Sequence, residues 1–191
     1  EIMVDPNPTV NLPDAEFIEL YNRSNGAIDL TGYELVHRSA SSGAETVRTL
    51  SGYLLQPNEY LILHNSADYL AASNELQIPS FPALNNTSAY LILRDAGGTD
   101  IDSILYDNTW YQDANKDDGG WSLELINPNL VCKGGNNWIA SNSLDGGTPG
   151  TINSVYDNAV DTIAAVITLA RQSDVNKAVL TFDDILDPVA A

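Results

Sequence analysis

Apolar residues in this chain come only in short runs, each stopped by turn residues, and that limits the fold more than any other feature. Glu16 to Asn22, Tyr33 to His37, Thr46 to Leu50, Tyr60 to Leu63, Ala89 to Leu93, Ile101 to Tyr106, Trp121 to Ile126 and Asn137 to Ile139 follow the pattern, after an opening run from Glu1 to Val4. Short runs rich in aromatic and β-branched residues are strands. Leu91, Ile92 and Leu93 are continuous, as a central strand covered on both faces requires. About nine such strands predict an all-β chain built as a two-sheet sandwich, not an α/β fold.

The punctuation agrees. Asp5-Pro6-Asn7-Pro8 stops the first strand, and Ser24-Asn25-Gly26 offers an Asn-Gly pair for the positive φ of a tight turn. Gln56-Pro57-Asn58-Glu59 and Ala96-Gly97-Gly98-Thr99 mark further turns, and Gly146-Gly147-Thr148-Pro149-Gly150 closes the sandwich near Ser154. Ser66 to Leu70 reads as a single helical turn capped by Ser66. No apolar run approaches the ~20 residues of a membrane-spanning helix; the longest is Ile163 to Ala170.

Eight basic residues against 26 acidic ones give a formal charge of −18. Such a surface repels phosphate backbones and anionic lipids, which argues against nucleic acid as a partner. The single cysteine, Cys132, excludes an internal disulfide and a Cys-based zinc site. It reads as a reduced, partly buried thiol. The chain opens at Glu1 with no leader pattern, as expected of a piece cut from a longer protein.

Past Ser154 the character changes. Residues 156–162 read as an acidic linker, and Ala178 to Phe182 alternates as a strand does, whereas Ile163 to Leu169 suits a strand or a helix. Residues 155–191 are too few to bury a core of their own. They form a linker with either the start of a second β domain or an arm folding back on the first.

Several segments in order carry a family resemblance: Asp14-Ala15-Glu16-Phe17-Ile18-Glu19-Leu20-Tyr21-Asn22, Ile28-Asp29-Leu30-Thr31-Gly32-Tyr33-Glu34-Leu35, Leu55-Gln56-Pro57-Asn58-Glu59-Tyr60-Leu61-Ile62-Leu63, Asp118-Gly119-Gly120-Trp121-Ser122-Leu123-Glu124 and Gly147-Thr148-Pro149-Gly150. Together, over about residues 1–154, they resemble the lamin-tail domain in its bacterial secreted form. The resemblance implies an immunoglobulin-like β-sandwich used as an accessory module of large secreted or surface proteins, some of them with nuclease, phosphatase or protease domains. Leu180 to Pro188 is similar to the opening of a bacterial immunoglobulin-like repeat.

Residues that could carry chemistry are few. Asp113, Asn115, Asp117 and Asp118 place side-chain oxygens along one loop, the arrangement that takes Ca²⁺. Against an EF-hand loop, Asp118 stands where glycine is required, and Glu124 in the twelfth place falls inside a strand. The alternative is a polar turn leading into the Trp121 strand. His37 and His64 end apolar runs without a nucleophile motif beside them. Neighbouring acids such as Asp100 and Asp102 or Glu16 and Glu19 read as solvated faces. Trp110 and Tyr111 could form a platform for a sugar or peptide, whereas Trp121 and Trp138 suit the core.

Two functions follow as expectations. The first is a non-catalytic module of a secreted or cell-surface protein, acting in adhesion, spacing or recognition of a protein or polysaccharide partner. The second is a calcium-stabilised, substrate-binding accessory domain of an extracellular hydrolase or nuclease. Free sheet edges would favour the first, and an exposed aromatic pair on a concave surface the second.

Overall fold

The computed structural model describes residues 1–65, 69, 74–159 and 165–182. The turn expected over 66–70 (Tyr69 apart), the Cys132 side chain and the run 184–188 lie outside them. In chain order the strands are β1 (Ile2–Met3), β2 (Phe17–Tyr21), β3 (Ile28–Asp29), β4 (Glu34–Ser39), β5 (Glu45–Thr49), β6 (Leu54–Leu55), β7 (Tyr60–His64), β8 (Glu75–Gln77), β9 (Ser88–Arg94), β10 (Asp100–Asp107), β11 (Leu123–Leu125), β12 (Trp138–Ala140), β13 (Ile167–Asp174) and β14 (Lys177–Phe182). One sheet runs β12-β11-β1-β2-β7-β8 and a second β10-β9-β4-β5, with two-stranded pairs β3-β6 and β13-β14. This is the immunoglobulin-like sandwich, and β9 is interior to its sheet as the continuous Leu91–Leu93 run predicts.

Alternation along the strands builds the core. From the first sheet, Ile2, Ile18, Leu61, Leu63 and Leu123 point inward, and Leu35, Ala89, Leu91 and Tyr106 meet them from the second. On the outer face of the six-stranded sheet, Met3, Phe17 and Ile62 form a second cluster with Ala15 and Tyr69, against which Leu12 packs.

Turn chemistry fixes the connections. Asp95 Oδ1 accepts from the Gly97 and Thr99 amides at 2.9 and 2.8 Å and closes the β9–β10 hairpin. Asn58 takes a positive φ of 60° after Pro57, so the Gln56–Glu59 turn is type II. The Ser24-Asn25-Gly26 bend works differently from the expectation. Neither Asn25 nor Gly26 has positive φ; instead Asn22 Oδ1 accepts from the Ser24 amide at 3.0 Å while its Nδ2 donates to the Gly26 and Leu55 carbonyls. A side chain replaces the special backbone conformation because β2 leaves toward another sheet and not into a hairpin.

Beyond the expected set, β3 and β6 are two-residue strands paired to each other, and β8 lies parallel to β7 at the edge of its sheet. The run whose type was open is a strand from Ile167 onward, paired antiparallel with β14. Ile167, Leu169, Val179 and Leu180 on that hairpin are exposed. The sandwich also holds the chain past Ser154, since the Asp157 amide donates to the Ile126 carbonyl and Asn127 Nδ2 to the Ala159 carbonyl.

Phe17 is fully buried with its ring centroid 5.6 Å from that of Tyr69. Truncation to Ala removes the centre of the outer cluster and is expected to cost ~3–5 kcal/mol in urea unfolding. Leu144→Ala, at a site 87% exposed, should change stability by less than ~0.5 kcal/mol.

Candidate functional site

Three glutamates share the outer face of the six-stranded sheet. Glu1 precedes β1, Glu19 lies on β2 and Glu124 on β11, so one parity carries all three to the same side as Met3 and Phe17. All are buried, Glu124 completely. A carboxylate in such a place must be bonded to the scaffold, and the segment from Gly147 to Val155 supplies the donors. Glu124 accepts from Thr148 Oγ1 at 2.9 Å, Ser154 Oγ at 2.8 Å and the Val155 amide at 3.1 Å. Glu1 accepts from the Thr148 amide at 2.9 Å, and Glu19 from the Gly150 amide.

The glycines of this cap are forced by space. A Cβ on Gly147 would stand 2.5 Å from Glu1 Oε1, and Gly150 holds a φ of +84°. Thr148 Oγ1 also lies 3.2 Å from Glu1 Oε2. A hydroxyl has one hydrogen, so it donates to one carboxylate, and the second contact closes when the other carboxyl carries a proton. Burial, reinforced by the Glu124 charge, raises the Glu1 carboxyl above the usual range and suits it to hold that proton.

The structure separates most residues singled out in the sequence. Asp113 Oδ1 accepts from the Asn115 amide and side chain at 2.9 and 3.1 Å, and the Asp117 amide donates to the Asp113 carbonyl, which makes a compact polar turn. Asp117 and Asp118 point to solvent. Lys116 leaves the loop, donating to the Ser141 carbonyl at 2.6 Å with its ammonium 4.7 Å from the Trp121 ring centroid. Among the described residues no three His, Cys, Asp or Glu side chains are grouped to hold a metal ion. The glycines ending this loop have a packing role: a Cβ on Gly119 would fall 1.8 Å from the Asn7 carbonyl oxygen, and the Gly120 amide donates to the Asp5 carbonyl.

Tyr111 is in the core, 3% exposed, its hydroxyl donating to the Trp121 carbonyl at 3.0 Å. It therefore presents no ring face to a ligand. Trp110 is half-buried and stacks on Trp138 at 6.3 Å between centroids. Both, with Trp121, pack on the main core. His37 and His64 lie in different sheets, on β4 and β7. Burial lowers the His37 pKa, and His64 Nε2 lies 3.5 Å from Glu75 Oε2. Glu16, just ahead of β2, accepts from the Leu84 amide at 2.9 Å, apart from Glu19 on the strand's outer face.

Two surface features complete the picture. β10 is an edge strand of eight residues, exposing Ile101 and Leu105 beside Asp100 and Asp102. A cleft of about 500 Å³ opens at the Glu1 end of β1, between Leu20 and Tyr21 on one side and Leu125 and Trp138 on the other. The glutamate cluster could have been found in the sequence by asking what the Gly147-Thr148-Pro149-Gly150 signature bonds to, since strand parity already aligns Glu1, Glu19 and Glu124.

A family model described as Lamin Tail Domain matches residues 1–108 of the chain, and no curated protein matches it. β11 and β12, beyond that span, complete the same sheet.

Burial pushes the Glu19 carboxyl from about 4.5 up to about 7. A native pKa above the unfolded one means that the folded chain binds more protons between those values, so stability falls as pH rises across that window. Glu19→Gln is expected to flatten this fall in thermal unfolding followed from pH 4.5 to 7.5. An unchanged slope would show that Glu19 does not titrate there.

Proposed function

The chain belongs to the lamin tail domain family, and we propose that it is a non-catalytic interaction module of a larger secreted or cell-surface protein, recruiting a protein partner by strand addition at β10. The observation that carries this reading is the open edge. Among the described residues β10 is bonded to β9 alone, so its other side is an open edge, on which the Ser103 amide is held by Asp102 Oδ1 at 2.8 Å. An edge of this kind pairs with an extended peptide, and its exposed side chains select the sequence. Exposed acids at Asp100 and Asp102 and exposed apolar side chains at Ile101 and Leu105, on a strand bulged between Asp100 and Asp102, favour a partner strand that carries both basic and apolar residues. The absence of catalysis is supported by the way Glu1, Glu19 and Glu124 are spent on scaffold donors. The β13–β14 hairpin, apolar and exposed, reads as the start of the next domain, because a lone hairpin is marginal in water.

Panning the full chain against a random-peptide library, beside a glycan array, tests this reading. Peptides combining Lys or Arg with apolar residues should be enriched, and Ile101→Lys should weaken their binding at least ~10-fold through like-charge repulsion and loss of an apolar contact. Binders indifferent to Ile101→Lys, or binding to glycans alone, would sink the proposal.

A further inference from the structure

β1 has only two residues, yet the strands on both sides of it run on past Glu1. The Glu19 amide donates to the Glu1 carbonyl at 2.9 Å, and Ile2 stands opposite both Ile18 on β2 and Leu123 on β11. Continued upstream, this register sets a strand position between Leu20–Tyr21 and Leu125, and these residues line the cleft of about 500 Å³.

The hydrogen-bonding directions suit a strand there. In an antiparallel ladder every second residue faces a given neighbour. On β2 the residues facing the line of β1 are Glu19 and then Tyr21, and Tyr21 meets β7 by its other face. On β11 they are Leu123 and then Leu125, since Ser122 and Ile126 bond to the β12 side. The Leu125 carbonyl is held by Asn153 Nδ2 at 2.9 Å, while Asn153 Oδ1 is buried with no partner among the described residues. A buried acceptor of this kind calls for a donor, and a peptide N–H beside Leu125 would supply one. Phase follows from parity: Ile2 faces the main core, so the residue directly ahead of Glu1 faces Leu20 and Leu125, and the one before it lies on the Tyr21 face.

We infer that this cleft is a strand slot, taken by an extended segment of polypeptide that enters Glu1 along the line of β1, pairs antiparallel with β2 and β11, and sets an apolar side chain against Leu20 and Leu125.

The test is to build the full chain with Val-Ser-Val directly ahead of Glu1 and, separately, with Ser-Val-Ser. The in-phase extension is expected to raise Tm by about 5 °C and to slow hydrogen exchange of the Tyr21 and Leu125 amides at least ~10-fold. The out-of-phase extension should do less than half as much, because a one-residue shift turns its side chains to the wrong faces. Equal effects from both, or none from either, overturn the inference. Equal protection by free acetyl-Val-Ser-Val amide at ~1 mM, the effective concentration a short tether supplies, would assign the slot to a separate chain and overturn the contiguous strand.

Discussion

Two residues, Ile2 and Met3, join the halves of the six-stranded sheet. β2, β7 and β8 lie on one side of them and β11 and β12 on the other. Ile2 alone is registered with both neighbours, and its side chain enters the main core while Met3 enters the outer cluster. Both apolar layers therefore converge on the same short strand. The glutamate cluster depends on it too, because β1 holds Glu1 between Glu19 and Glu124.

The chain has a formal charge of −18 and still places three carboxyls in its interior. Most of its acids are solvated and keep the surface strongly negative, which works against compactness by self-repulsion. The buried three act otherwise. Each draws a donor from the segment from Gly147 to Val155, so that a stretch without a strand of its own is bound across the sheet. Burial makes the Glu1 and Glu19 carboxyls costly to ionise, and the donors of the cap offset part of that cost. Thr148, bonded to two of the acids, allows little slippage.

Strand existence was legible wherever a short apolar run, alternating or continuous, ended on a turn signal, as in β2, β7, β9 and β10. β3 and β6 escaped because two residues carry no period, and β8 because its Glu-Leu-Gln sequence has no β-branched or aromatic residue. The Asn-Gly pair at Asn25 and Gly26 carries the signal of a positive-φ turn, but nothing local reveals that Asn22 reaches across to the Leu55 carbonyl. Site residues were harder for a related reason. Asp113 to Asp118 stand together in sequence and so looked like a site, whereas Glu1, Glu19 and Glu124 are far apart and meet only through sheet register. Tyr111 illustrates the same limit: Gln112 and Asp113 follow it in sequence, and its neighbours in space are the core.

The capped glutamates also bring the start of β1 and the chain just past Ser154 together. Glu1 shares Thr148 with Glu124, and Val155 donates to that same Glu124. Glu1 and Val155 therefore lie side by side. Joined to a longer chain at these two points, such a module would hang from it as a pendant and add little to end-to-end length, however large its own fold. The same closeness suits it to splicing into a surface loop of another protein, whose ends it would not force apart.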